Sequence, residues 1–155
     1  MEAAEHPLHN NVNWLLNRAW LGFGQHSSDA LEAFGVSVKE HLMMVALMSS
    51  PMTQLELTAL IKSDKSVVSS ALDGLEAKGL VERVPDPRDR RVRRPTLTSA
   101  GRRTCRRATA AVEAAEKELL DRLEPDQRDV FLAVLRNYVF TELVDAPAFT
   151  HRPRK

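Results

Sequence analysis

The chain has 155 residues, 43% hydrophobic and 28% charged, with one cysteine and only 5% aromatics. That length buries a real core in one domain, and the charge content favours a helix-rich protein. A single cysteine excludes a disulfide framework within the chain and a cysteine-based zinc finger. Net charge is +1, yet the charge is unevenly spread. Between Arg83 and Arg107 stand ten arginines, no lysine and two aspartates, an excess of eight positive charges, whereas the rest carries twelve basic and nineteen acidic side chains. An arginine-rich edge on an acidic body suits a polyanion such as double-stranded DNA. Glu2 and Glu5 follow Met1 where a secretory signal would be basic and apolar. The longest stretch free of Asp, Glu, Lys and Arg, His41 to Leu55, is broken by Ser49, Ser50 and Pro51, too short for a membrane span. The expected location is cytoplasmic, with no membrane partner.

In chain order, the first predicted helix runs from about Leu8 to Phe34, with Val12, Leu15, Leu16, Ala19, Trp20 and Phe23 recurring by turns and Gly35 placed to end it. Ser37-Val38-Lys39-Glu40 matches a capping box and opens a helix to about Met48. Thr53-Gln54-Leu55-Glu56 repeats the pattern and opens a short helix to about Ile61. Asp64 is placed to cap a helix from Lys65 to Lys78, ended by Gly79. Val68, Leu72 and Leu75 make its buried stripe, and Ser66, Ser70 and Asp73 fall opposite, flanked by Lys65 and Ser69.

After Gly79 the period changes. Leu80 to Val84 reads as a strand, Pro85 to Arg91 as a polar turn, and Val92 to Leu97 as the return, with Pro95 marking an edge. Thr98 or Ser99 starts a helix to about Leu123 whose Cys105, Ala108, Val112, Ala115 and Leu119 form a coiled-coil-like seam. Pro125 precedes a last helix, near Asp126 to Val144, with apolar residues over most of its circumference. Such a helix needs enclosure that one short chain does not supply, which points to a homodimer. The fold class is therefore mainly α with a small β-wing: a winged helix-turn-helix plus a helical dimerisation region. The whole chain, 1–155, reads as one such domain, with dimerisation helices at 8–50 and 99–144 and the winged lobe at 52–98.

In a winged helix-turn-helix, the second helix brings small polar side chains to base edges and the wing brings guanidinium groups to the minor groove and backbone. The segments Leu75-Glu76-Ala77-Lys78-Gly79-Leu80-Val81-Glu82-Arg83, Asp86-Pro87-Arg88-Asp89-Arg90-Arg91 and Leu97-Thr98-Ser99-Ala100-Gly101 occur in order. Together they resemble the multiple-antibiotic-resistance regulator (MarR) family of bacterial transcription factors, over about Leu8 to Leu143. The resemblance implies a triangular homodimer binding a pseudo-palindromic operator as a repressor. By position it places Lys65, Ser66, Ser69 and Ser70 in the major groove and Arg91, with Arg88 and Arg90, at the minor groove. Asp89 would orient a wing arginine. Val67 stands where the family often has Thr, and Ser70 where it often has a basic residue. With only Lys65 charged on the recognition face, more affinity would rest on the wing and on DNA shape.

Many relatives release DNA on binding a small aromatic or phenolic effector. Trp14, Arg18, Trp20, His41 and Met44 are the candidates for such a pocket, against a competing reading in which the tryptophans and Met44 are core and His41 is a surface or capping residue. Cys105 lies among arginines that favour a thiolate, but on the apolar seam, where burial opposes one. His6 and His9 are spaced to share a metal, though without further ligands they read as a surface arm. No cofactor is expected. No glycine-rich phosphate loop or nucleophile with a paired base stands out, so an enzyme is disfavoured. A winged helix serving protein–protein contact alone is the alternative, opposed by the arginine-rich wing.

Overall fold

The computed structural model describes residues 6–86, 89 and 92–145. Six helices and one hairpin follow in order: α1 (Val12–Glu32), α2 (Val38–Ser49), α3 (Gln54–Ile61), α4 (Lys65–Ala77), β1 (Val81–Pro85), β2 (Arg93–Leu97), α5 (Ser99–Leu120) and α6 (Pro125–Asn137). A π-helical turn, Tyr138–Glu142, extends α6. The mainly helical, winged fold class is as the sequence indicates.

The helix starts have local causes. Asn11 accepts the Trp14 N–H and opens α1, one turn later than the periodicity suggests. Both capping boxes form: Ser37 with Glu40 on α2, and Thr53 with Glu56 on α3. Asp64 occupies the N-cap position of α4, but its side chain makes no capping hydrogen bond. Gly35 and Gly79 follow helix ends with φ of +62° and +68°, which a Cβ would disfavour.

The antiparallel hairpin pairs Val81 with Leu97 and Arg83 with Pro95. It is attached to α5 by Thr98. The Thr98 hydroxyl accepts the Gly101 N–H (3.0 Å) and donates to the Gly79 carbonyl (2.8 Å), while the Thr98 N–H reaches the Leu80 carbonyl (3.1 Å). Gly101 permits this crossing, because a Cβ there would lie 1.9 Å from the Leu80 oxygen.

The core joins Leu31, Met43, Met44 and Leu47 to Leu57, Val68, Leu72 and Leu75, and continues through Leu80, Val81 and Leu97 to Cys105, Ala108 and Val112. The seam of α5 therefore faces the protomer's own α1 and α2 over its first half. Its apolar spacing needs no partner there. Only Ala115 and Leu119, half-buried, continue beyond the core. The last helix behaves as its composition indicates: no residue of α6 is buried, and Val130, Val134 and Phe140 are 62%, 62% and 74% exposed. Leu15, Leu16 and Trp20 leave a second apolar face bare on α1. Among the described residues, no helix is long and apolar enough to cross a membrane.

Candidate nucleic-acid interface

Three apolar residues, Val68, Leu72 and Leu75, seat α4 on the core and turn its other face outward. Lys65, Ser66 and Ser70 are exposed on that face, whereas Ser69 is half-buried beside Val68. The outer face thus presents one cation and two short hydroxyls at the N-terminal half of α4. Asp73 and Glu76 follow on the C-terminal half, both exposed and both bonded to Arg83 of β1. This pairing offsets two carboxylates beside the exposed Lys65, Ser66 and Ser70 and ties α4 to the wing. In the sequence Arg83 reads as a strand residue and part of the basic edge, with no carboxylate partner assigned to it. The helical positions of Asp73 and Glu76, three apart and next to a strand arginine, were the available signal.

The other side of α4 is held by α2. The Glu40 carboxylate is buried, with Oε2 accepting the Ser37 N–H at 2.7 Å and Oε1 accepting from Lys78 Nζ at 2.7 Å. Burial raises the Glu40 pKa, but the bonds from Lys78 and Ser37 outweigh it and hold the carboxyl below its ordinary value. Nearer the α3–α4 turn, Lys39 Nζ donates to Ser63 Oγ at 3.0 Å.

Within the wing, Arg94 Nε donates to the buried Asp86 carboxylate, and the Asp86 N–H reaches the Val92 carbonyl at 2.8 Å. Asp86 was also missed as an arginine partner, because only the strand register brings it beside Arg94. Asp89 is exposed, and its carbonyl accepts the Val92 N–H at 2.9 Å, closing the turn. Arg88, Arg90 and Arg91, expected at the minor groove, lie outside the described residues. The arginine block is therefore divided in its duties. Arg83 and Arg94 are engaged by carboxylates, and Arg93 donates to the Arg83 carbonyl at 3.1 Å. Arg102, Arg103, Arg106 and Arg107 lie exposed on α5, with the Arg107 guanidinium 5.6 Å from the Phe34 ring centre.

The five effector-site candidates do not converge within the protomer. Met44 is fully buried in the core. His41 is buried too, its Nε2 2.9 Å from Thr109 Oγ1, and burial lowers its pKa. Trp14 stacks on His6 with ring centres 4.6 Å apart, while Arg18 and Trp20 are exposed on α1. Trp20, 70% exposed, is not a core residue of the protomer either. Trp14 and Trp20 are six residues apart, which turns them to different faces of α1.

A mostly apolar cavity of about 510 Å³ lies instead between α2 and α5, lined by Val45, Met48, Cys105, Thr109 and Ala110, with Arg106 and Glu113 at its edge. His41 stands behind its Thr109 wall. Burial pushes the Cys105 thiol up, against weaker opposing effects of Thr109 and Arg106, which fits a packing role. Among the described residues, no group of three or more His, Cys, Asp or Glu is placed to hold a metal ion.

Comparison with known proteins agrees with this geometry. A family model described as MarR family matches residues 34–92. Transcriptional regulator HosA of Escherichia coli O111:H- is 29% identical over 98 residues, spanning 63% of this chain and 73% of that protein. CouR from Rhodococcus jostii RHA1, solved bound to p-coumaroyl-CoA, is similar with a TM-score of 0.80 and 26% identity, over 95% of this chain and all of its own. The MarR family protein Rv2887 of Mycobacterium tuberculosis, solved in complex with DNA, gives a TM-score of 0.69 at 28% identity, covering 81% of this chain and 95% of that one. Rv2887 has also been solved in complex with p-aminosalicylic acid.

Proposed function

We propose that the chain is a transcriptional regulator of the MarR family rather than an enzyme, and that it acts as a dimeric, sequence-specific DNA-binding repressor, as the match of residues 34–92 to the family model and the likeness to HosA support. The observation that carries this reading is the exposed N-terminal half of α4, with Lys65, Ser66 and Ser70 free of the core, set beside an arginine-rich hairpin. In the proposed complex α4 enters the major groove, where Lys65, Ser66 and Ser70 read base edges and Ser69 plays a lesser part. Arg88, Arg90 and Arg91 serve the minor groove and backbone, with Asp89 at the wing tip. That Rv2887 has been solved in complex with DNA supports DNA binding by analogy.

Dimerisation is supported by the two bare apolar faces. Val12, Leu15, Leu16 and Trp20 on α1 and Val130, Phe131, Val134 and Leu135 on α6 are exposed large hydrophobics gathered on two helices, as at an association surface. A second copy would cover both and set two α4 helices for a pseudo-palindromic site. In this assembly residues 8–50 and 99–144 act as the dimerisation region and 52–98 as the DNA-binding lobe. A DNA-binding role places the protein in the cytoplasm.

A small aromatic or phenolic effector is the proposed release signal, as the p-coumaroyl-CoA and p-aminosalicylic acid complexes of the relatives suggest. The α2–α5 cavity is its proposed seat, with His41 behind its Thr109 wall and Arg106 in its lining offering a cation. Trp14, Arg18 and Trp20 would take part only if a partner's surface brought them to it.

The test is selection of duplexes from a random DNA pool, followed by affinity measurements over a range of salt. Enrichment of a pseudo-palindrome, with affinity falling steeply as salt rises, is expected. No selective enrichment and no salt-dependent binding to duplex DNA would overturn the reading in favour of a protein-contact module. Salicylate added to the bound complex then tests the effector arm, with DNA release as the expected result.

A further inference from the structure

Gly74 lies in the interior of α4, where glycine is a poorer helix former than alanine. A Cβ at Gly74 would stand 3.0 Å from Glu40 Oε1. The glycine therefore leaves room for the Glu40 carboxylate against α4. Glu40 uses its two oxygens separately at this point. One closes the capping box at Ser37, two residues after the left-handed Gly35 that joins α1 to α2. The other takes Lys78 at the end of α4. The Glu40 side chain is 10% exposed and that of Lys78 is 40% exposed.

Beyond this pin the helices part. The first turns of α4, at Ser66, Val67 and Ser70, are separated from Ser37 and Lys39 by an open groove of about 500 Å³. The N-terminal half of α4 is seated by Val68, fully buried, and braced at the preceding turn by the Lys39–Ser63 bond. The apolar stripe resists removal from the core but gives little directional control over the helix angle, because hydrophobic contact is non-directional. Toward the C-terminal half two ion-paired pins add that control: Glu40 from α2 on one side and Arg83 from β1 on the other. Eight residues separate Gly74 from Ser66, a lever of roughly 12 Å. A tilt of about 10° at the pin moves Ser66 by roughly 2 Å, which breaks a base-edge hydrogen bond.

We propose that the Glu40–Lys78 pair, admitted by Gly74, is a positioning device that aims the recognition helix and links its angle to the α1–α2 junction. The inference rests on the DNA-binding reading above. It makes Glu40 a specificity determinant that touches no DNA.

The test uses the full-length dimer and two duplexes: the one the wild-type protein selects from a random pool, and a scrambled duplex of equal length. Glu40→Gln keeps an acceptor for Ser37 but removes the ion pair. Gly74→Ala improves helix propensity while crowding Glu40. For each variant, affinity for the selected duplex should fall at least tenfold. Affinity for the scrambled duplex and the salt slope should stay as in the wild type. Gly74→Ala should do this without lowering Tm, which separates aim from stability. Lys78→Met combined with Glu40→Gln should lose no more than either change alone. Selected-duplex affinity unchanged in both Glu40→Gln and Gly74→Ala overturns the inference alone. Equal losses on both duplexes do so too, and a shallower salt slope in Lys78→Met would make that lysine a phosphate contact instead. Failure of the wild type to prefer any duplex overturns the DNA-binding reading, and this inference with it.

Discussion

Replacing Gly101 by alanine puts a methyl group into the junction between the wing and α5. The new Cβ would stand 1.9 Å from the Leu80 oxygen, 2.9 Å from its carbon and 3.2 Å from Leu97 Cδ2. Non-bonded atoms sit best at about 3.5 Å, so α5 or β1 has to retreat by roughly 1.5 Å. The obstacle is backbone, which cannot turn aside as a flexible side chain does. The retreat strains the Thr98 bonds to Gly79, Leu80 and Gly101, which join the same two elements. Overpacking costs about 1–3 kcal/mol and loss of the Thr98 cap about 1 kcal/mol, against a propensity gain of at most about 1 kcal/mol. With the full propensity gain the net is a loss of about 1–3 kcal/mol. For a chain of this size that lowers Tm by roughly 3–9 °C. Thermal denaturation followed by circular dichroism, at one fixed protein concentration, measures it. Ser99→Ala, an exposed neighbour in the same turn, should shift stability by no more than about 0.5 kcal/mol. A Gly101→Ala protein as stable as wild type would refute the steric reasoning.

Val134→Asp places a charge on an α6 site that is 62% exposed in the protomer, so it should cost the isolated chain little and abolish dimerisation. Sedimentation at micromolar concentration should show loss of the dimer, and a dimer as tight as wild type would exclude this face from the interface. Arg91→Ala should weaken binding to most duplexes and reduce the salt slope by about 1, whereas Ser66→Ala should change preference at particular base pairs. Uniform loss in both would end the division of labour between wing and helix. Burial lowers the His41 pKa below 6.5, so its folded-state contribution is present above that value and is lost as pH falls through the lowered pKa. Tm of the wild type should therefore drop more between pH 7 and pH 5 than Tm of His41→Gln, and parallel pH profiles would contradict this.

Much of the fold was legible in the sequence because its signals are local. Ser37 with Glu40 and Thr53 with Glu56 satisfy backbone groups within one turn, so both helix starts can be read without knowing what they pack against. Gly35 and Gly79 adopt conformations that their own lack of a Cβ makes accessible. Three residues in one stripe, Val68, Leu72 and Leu75, fixed which face of α4 turns outward and hence which hydroxyls are exposed. The bare surface of α6 was likewise foreshadowed by apolar residues in excess of what one short chain encloses.

Long-range partnership was decided only by the tertiary structure. The α5 seam has the same spacing whether its neighbour is another chain or the protomer's own α1 and α2, and packing chose the latter for Cys105, Ala108 and Val112. Arginines look alike in a charge count, yet strand register gave Arg94 to Asp86 and the α4–β1 crossing gave Arg83 to Asp73 and Glu76. Periodicity placed Trp14 and Trp20 on one helix, but not toward one cavity. The roles of Gly74 and Gly101 appear only where another segment's oxygen occupies the space a Cβ would need. A residue's own conformational preference is written in its identity and near neighbours, whereas the atom it meets across the fold depends on every element between them.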